Sequence, residues 1–436
     1  MLYKKEIPVK HKVDVCVIGG GPSGIAAAVV ASRQGADVFL IESQGCFGGA
    51  ATSALVPAFV TFSDGINFLA GGIGREIYDR CYRENPYGVY GTNLGFQTEG
   101  LKRQYDELVI AAGVKFLFFS QMIDVICHDG NVSAIIVAAK SGLFAIEAKM
   151  FVDCSGDGDL CARAGAPFVE GNEAGEVMGA TLCSMWVNID WSEFKVEQDS
   201  FLEKAFADGV FTVEDRHLPG IFPTGVRTGG GNIGHTFGVK GTNEEDLTRG
   251  MVQGRNMLPE YIRYYQEYVG GAFAEAYPVA TGNVLGIRES RRILGDYILK
   301  KEDYFARAIF DDEIGRYSYA IDLHESDSSK EAHESFRNQF YGKGYDCGDS
   351  YGIPYRCLIP KTLENVYMAG RCISTDRAML ASTRVMPCCF ITGQAAGVAA
   401  ALCVKQGCNN RELNVTLLQE RLKEIGAYLP NFQKSV

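Results

Sequence analysis

The chain lacks the usual marks of a secreted, membrane-spanning or nucleic-acid-binding protein. Its 14 cysteines are scattered through 436 residues, with no Cys-x-x-Cys pair, no haem-attachment motif and no iron–sulfur spacing. That excludes a disulfide scaffold and leaves reduced thiols as the expectation, with no metal site. There is no basic surplus either. The net charge of −11 gives no electrostatic footprint for DNA, RNA or an anionic membrane. No run approaches the uninterrupted apolar length of a membrane span; residues 386–404 come nearest, but glycine and alanine dominate there. The opening MLYKKEIPVKHK has no signal-type apolar core. Internal repeats and low-complexity linkers are also missing. Together these absences predict a cytoplasmic chain without nucleic-acid or membrane partners, long enough for two or three lobes.

The first sixty residues are the most informative. Val13 to Ile18 is an apolar, β-branched run of the kind buried on both faces in a parallel sheet. It breaks into Gly19-Gly20-Gly21-Pro22-Ser23-Gly24, followed by an alanine-rich helix to about Gln34, a second strand Ala36 to Ile41, and Glu42. The G-x-G-x-x-G at 19, 21 and 24 has a separate task for each glycine. Gly19 makes the tight turn, Gly21 lets the backbone approach a pyrophosphate, and Gly24 lets helix and strand pack closely. Free N–H groups at the helix start, around Pro22 and Ser23, receive the pyrophosphate. Glu42 is placed to accept hydrogen bonds from ribose hydroxyls, and its charge disfavours a 2′-phosphate. This strand–turn–helix–strand–acid arrangement predicts dinucleotide binding.

Directly after Glu42 comes a second small-residue loop, SQGCFGGAATSALV (Ser43 to Val56), which a plain nicotinamide dehydrogenase does not need. Here the sequence resembles the FAD-dependent oxidoreductases of the glutathione-reductase-like superfamily, in the branch related to fumarate reductase flavoproteins. The resemblance implies FAD, held non-covalently, with Ser43, Gly48, Gly49, Ala50 and Thr52 passing along the pyrophosphate and under the ring. It implies an α/β fold: a Rossmann-like FAD-binding domain, its parallel sheet carrying an inserted antiparallel β-meander, plus an inserted α+β substrate domain. The pattern fits. Met122–His128, Val132–Lys140 and Leu143–Glu147 read as three short strands, with Asp129-Gly130-Asn131 a hairpin turn. Met150 to Cys154 then returns to the parallel sheet and ends in CSGDGD. On the resemblance, Met122 and Asp157 lie near the cofactor. Composition changes after Pro167, so the expected division is residues 1–167 and 351–436 for the FAD domain, with 168–350 as the substrate-side domain between them.

Two late features complete the expected cofactor site. Asn365 to Ala369 reads as a buried strand ending in Gly370-Arg371. MPCCFITGQAAGVAAALCVKQ (Met386 to Gln406) reads as a helix buried nearly all round, with no Ser, Thr or Asp to cap its start. The resemblance places Gly370 and Arg371 beside the cofactor and aims the helix start, at Met386 and Pro387, at the flavin pyrimidine edge. Negative charge that develops there on reduction is stabilised by a helix N-terminus. Cys388 and Cys389 also sit where such an N-terminus lowers a thiol pKa.

The substrate side is less legible. LGIRESRRILGDYIL (Leu285 to Leu299) brings Arg288 among apolar residues, and IFPTGVRTGGGNIGHTFG (Ile221 to Gly238) reads as a glycine-rich loop carrying Arg227 and His235. These three are the candidate catalytic residues: His235 as acid–base, the arginines as anchors for an anionic or oxygen-rich substrate, with Arg384 a further anchor. Phe222 stands where fumarate reductases carry a histidine in a His-Pro-Thr-Gly sequence, which argues against simple succinate or fumarate chemistry. The expected function is hydride transfer between flavin N5 and a small anionic or polyhydroxylated organic substrate, in either direction, with an unidentified electron donor or acceptor. The competing reading is an electron-transfer subunit serving a protein partner. A homodimer is the expected assembly on base rates alone.

Overall fold

The computed structural model describes residues 4–90, 93–324, 326–331, 334, 340 and 343–433. The elements that position the site are, in chain order, β1 (Val9–Ile18), α1 (Pro22–Arg33), β2 (Val38–Ile41), α2 (Thr98–Ala111), β3 (Lys115–Leu117), β4 (Gln121–His128), β5 (Asn131–Ala139) and β6 (Gly142–Asp153). There follow β7 (Ser184–Val187), β8 (Gly220–Gly225), β9 (Thr228–Asn232), α3 (Glu244–Arg263), β10 (Tyr277–Thr281), β11 (Val366–Met368) and α4 (Met386–Gln406).

The main sheet has seven strands in the order β3-β2-β1-β6-β5-β4, with β11 also paired to β6. Strands β3, β2, β1, β6 and β11 run parallel, with Val15 opposite Val38 and Met150. β4, β5 and β6 form the antiparallel meander, turned at Asp129 (φ 48°) and Gly130 (φ 79°), the left-handed pair that a two-residue hairpin requires. One expectation needs correcting. The third meander strand and the returning parallel strand are one continuous strand, β6. Its first half pairs with β5 and its last residues with β11, because Ala148-Lys149 contains no breaker and the alternation runs on.

α4 lies across α1 with backbones in contact. A Cβ added at Gly393 would stand 2.2 Å from the Ser23 carbonyl oxygen, and one at Gly397 2.3 Å from that of Ala27. Its small residues are therefore a packing requirement. The helix has the length and apolarity of a membrane span, but 94% of its most apolar window is buried inside the protein. It ends at Gly407 in the left-handed conformation (φ 67°).

The inserted lobe centres on the sheet β8-β9-β7-β10, packed with α3 around Trp186, Tyr264, Tyr265 and Phe273. This core is smaller than the predicted 168–350 domain. Leu299, Tyr304, Ile314 and Tyr317 are buried in the same apolar cluster as α1 and α4, and Glu313–Tyr317 pairs with Tyr351–Pro354. The domain limit at 350 is thus corrected: the chain rejoins the first lobe's core by Leu299, a return that composition does not mark. The Gly-rich stretch 221–238 is likewise no open loop. Its first part is the β8–β9 hairpin, and its glycines are sites of close approach; a Cβ at Gly230 would lie 2.1 Å from the Pro57 side chain.

Candidate active site

A cavity of about 740 Å³ runs between the two lobes. One end is lined largely by glycines and other small residues. Gly19, Gly21, Pro22 and Ser23 come from the β1–α1 turn, Glu42, Ser43, Gly49 and Ala50 from the segment after β2, Met122 from β4, Asp157 from the turn after β6, and Arg371 and Met386 from the late segments. Gly19 (φ 93°) sits where an added Cβ would be 2.5 Å from the Cys154 carbonyl, whereas a Cβ at Gly21 would meet nothing within 4 Å. The turn is therefore tight on the protein side and open on the cavity side. Glu42 is buried, with Oε2 accepting from the Gly20 N–H (2.7 Å) and Oε1 from the Gln44 N–H (2.7 Å).

The remaining predicted cofactor residues sit one layer behind. A Cβ at Gly24 would lie 1.8 Å from the Gly19 oxygen, Gly48 turns the loop at φ 112°, and Thr52 hydrogen-bonds the Phe47 carbonyl. The Gly370 N–H donates to Thr392 Oγ1, and Pro387 occupies the first turn of α4. Asp157 and Arg371 meet in a 2.6 Å ion pair, while Arg371 also donates to the carbonyls of Gly156 and Ile287. Neither α1 nor α4 has a side-chain cap, and both begin at the cavity, α1 through Gly21 and Pro22, α4 through Val385 and Met386. Two uncapped helix starts, a glycine turn open to the cavity and a long trough lined largely by small residues fit a dinucleotide with its pyrophosphate at α1. The cysteines at the start of α4 are not activated as expected. Burial pushes the Cys389 thiol up to about 12 and that of Cys388 well above its ordinary value, which outweighs the helix field.

The other end of the cavity is built from side chains. Arg288, Asn232, Tyr319, Asp322, His324 and Arg384 line it. Arg288 is buried and donates to the Gly179 carbonyl (2.9 Å), Thr181 Oγ1 (2.8 Å) and Asn232 Oδ1 (3.0 Å). Burial first, then Arg384 nearby, brings it down to about 10, so it stays cationic at neutral pH. Arg384 donates through one terminal nitrogen to the Asp322 carbonyl and carboxylate, and its buried Nε has no acceptor. Tyr319 also donates to Asp322 (3.3 Å).

His235 does not stand in the cavity as expected. It is fully buried on the short strand His235–Thr236, with Nδ1 2.6 Å from Asp215 Oδ2 and Nε2 2.9 Å from Nδ1 of His324, which occupies the wall in front of it. Arg227 is not at the site. It is exposed in the turn of the β8–β9 hairpin, while the opposite end of β9 delivers Asn232 to the wall. Sequence reasoning missed Asp215, His217, Tyr319, Asp322 and His324. Two Asp-x-His pairs, Asp215-Arg216-His217 and Asp322-Leu323-His324, were their visible signal.

Ring nitrogens of His217 and His324 and a carboxylate oxygen of Asp322 lie within 4.8 Å of one another, a spacing a divalent ion can bridge. Two features oppose that use. The His217 and His324 rings are stacked (centroids 4.2 Å, planes 9° apart), so their in-plane lone pairs do not converge. Asp322 is already paired with Arg384 at 3.0 Å.

A Rossmann-like trough with two uncapped helix starts on one side and a polar, arginine-bearing wall on the other defines a nucleotide-dependent redox enzyme. The chain belongs to the FAD dependent oxidoreductase family, whose sequence profile matches residues 14–422. Its cofactor is FAD. Among curated relatives, thiamine thiazole synthase from Pyrococcus horikoshii is 26% identical over 175 residues, 37% of this chain and 64% of that protein. Digeranylgeranylglycerophospholipid reductase from Methanocella arvoryzae is 24% identical over 334 residues, 69% of this chain and 82% of the relative. The chain thus spans less than two thirds of the thiamine thiazole synthase it matches. Among solved structures, a geranylgeranyl bacteriochlorophyll reductase-like protein from Thermoplasma acidophilum shares the fold at TM-score 0.50 and 13% identity, covering 96% of this chain and 84% of that one. The p-nitrophenol 4-monooxygenase from Pseudomonas putida does so at TM-score 0.50 and 11% identity, covering 94% and 84%.

Proposed function

We propose that the protein exchanges a hydride between bound FAD and a small anionic or polyhydroxylated organic substrate seated at the side-chain end of the cavity. The observation that carries this reading is Arg384. It lines the cavity beside buried Arg288, and two guanidinium groups on one wall suit an anionic or oxygen-rich ligand. Bound FAD supplies a two-electron carrier whose ring N5 gives or takes a hydride. The protein's own residues do the rest. Arg288, held by three acceptors, and Arg384 fix the substrate's oxygens, and the uncapped α4 start stabilises negative charge at the opposite wall. The Gly-Ile-Arg-Glu-Ser-Arg-Arg segment, which brings Arg288 to the wall, resembles segments of the branch related to fumarate reductase flavoproteins and so supports placing the chain there. Organic acids and polyols are the substrate class it favours.

The test is anaerobic rapid mixing. Oxidised holoenzyme is mixed with hydroxy acids, polyols and amines, and reduced holoenzyme with α,β-unsaturated acids. Bleaching of the flavin by a member of the first set, or its re-oxidation by a member of the second, gives the substrate class and the direction. No response from either set contradicts the reading.

A further inference from the structure

Three of the six histidines of the chain, at positions 217, 235 and 324, meet at one point of the cavity wall. From their arrangement we infer that His324 Nε2 is the proton acceptor and donor of the cavity, and that Asp215 and His235 are positioning residues that set its tautomer. The inference rests on the cavity being the redox site.

The direction of each hydrogen bond follows from the first. Asp215 Oδ2 accepts from the backbone N–H of His235 (3.1 Å) and lies 2.6 Å from Nδ1 of the same residue; Oδ1 accepts from the His217 N–H (3.0 Å). A carboxylate receiving two backbone donors stays ionised, so the proton of the short contact belongs to His235 Nδ1. Burial disfavours the cationic form of His235 and holds it below the ordinary histidine range, and burial does the same more strongly to His324. With His235 neutral, its Nε2 is an acceptor. The 2.9 Å contact is then His324 Nδ1–H donating to His235 Nε2. This leaves His324 Nε2 without a proton of its own at the cavity wall, 3.4 Å from Asp322 Oδ2, which accepts from it only once it has taken one up.

The surrounding charges suit a site that takes up one proton and returns it. Asp322, itself paired with Arg384, favours the imidazolium, and Arg288 opposes it. His217 is stacked on the ring at 4.2 Å, and protonation there would oppose a second charge. Behind the pair, Tyr319 donates to Asp322, and buried Tyr261, whose hydroxyl is held well above its ordinary pKa by burial and Asp215, remains neutral. In oxidation of a C–OH or C–NH group, the C–H bond breaks as its two electrons and hydrogen leave as hydride to the FAD this family binds. The O–H or N–H bond breaks as its proton goes to His324 Nε2, and the carbon–heteroatom double bond forms. Reduction runs the same accounting backwards, with the proton supplied from Nε2.

Asp215→Asn discriminates this arrangement from a structural one. A carboxamide N–H facing His235 Nδ1 makes that nitrogen the acceptor, puts the His235 proton on Nε2, and forces His324 Nδ1 to accept. The Nε2 lone pair is then lost to a proton. The same reversal in a hydrolase triad is costly for this reason. The experiment is nitrogen NMR of histidine-labelled holoprotein, with ring signals assigned by His235→Gln and His324→Gln, and needs no substrate. The expected result is an unprotonated Nε2 and protonated Nδ1 at His324 in the wild type, exchanged in Asp215→Asn with flavin content unchanged. A protonated Nε2 at His324 in the wild type overturns the proposal, as does one equivalent of tightly bound metal in elemental analysis. If Asp215→Asn does not fold, the wild-type spectrum and its pH titration still decide. Once a substrate is in hand, His324→Gln should slow flavin reduction by about 10²–10⁴-fold without a matching loss of substrate affinity. Unchanged reduction by a known substrate overturns the proposal while leaving the proposed function standing. The absence of any substrate, with the tautomers as stated, contradicts the function and not the relay.

Discussion

The two ends of the cavity are made in opposite ways. The end toward β1 and α1 is lined largely by glycines and other small residues and presents main chain: a turn held at Gly19, an open Gly21 and two helix starts with no capping side chain. The end toward the inserted lobe is walled by side chains from Asn232, Arg288, Tyr319, Asp322, His324 and Arg384, backed by Asp215 and His235. A cofactor shared by a large family is gripped through groups every residue possesses. The substrate, which differs from member to member, meets groups that substitution can change freely. At the first end an added atom therefore meets either the protein, as at Gly19, or the space the cofactor takes, as at Gly21, while the second end tolerates change in shape but not in charge.

The sharpest way to break this comparison is to add bulk where main chains touch. Gly393→Leu drives a side chain into the Ser23 carbonyl, 2.2 Å from the new Cβ, and should cost upwards of about 3 kcal/mol; loss of soluble protein or a collapsed urea midpoint reports it. At the other end, Arg384→Leu leaves packing intact and should weaken small carboxylates, read from their perturbation of the flavin spectrum, by about 10- to 100-fold, as for loss of a hydrogen bond to a charged group.

Smaller effects come from titration. His235 and His324 are held below the ordinary histidine range by burial, so on acidification the unfolded chain takes up their protons before the folded one. Stability should then rise with pH up to about 6.5 and level off above it, each histidine adding a slope of at most about 1.4 kcal/mol per pH unit. Urea midpoints of His324→Gln should show the shallower slope. Smallest of all is Arg227→Ala, at the exposed hairpin turn, where kcat/KM should stay within about twofold of wild type. A large loss there would place substrate outside this cavity.

The same contrast explains what could be read in advance. A main-chain site is local in sequence: Gly19 to Gly24 and Glu42 to Thr52 carry their geometry in their spacing, and the uncapped start at Met386 is visible as a missing Ser, Thr or Asp. Most of those positions line the cavity. The side-chain end has little spacing to read beyond two Asp-x-His pairs. Asp215, His235, Arg288, His324 and Arg384 are brought together only by folding, so Arg288 was picked out and His324 was not. His235 looked accessible because glycines surround it in sequence, yet Gly229, Gly230 and Gly231 are strand residues packed on Ile221, Pro57 and Trp186, and Gly234 turns against Tyr261. The continuous β6 escaped notice because a strand that changes partners midway has no break to mark the exchange.

The central claim is that the two ends do separate work, and flavin content tests it most directly. Gly21→Val and Asp215→Asn would be purified beside the wild type, with bound flavin and melting temperature measured on the same samples. The Cβ added at Gly21 meets no protein atom within 4 Å, so that variant should keep its fold and lose its flavin absorbance, while Asp215→Asn should keep its full flavin complement. A Gly21→Val protein that holds FAD as the wild type does, or an Asp215→Asn protein that folds without it, would contradict the account.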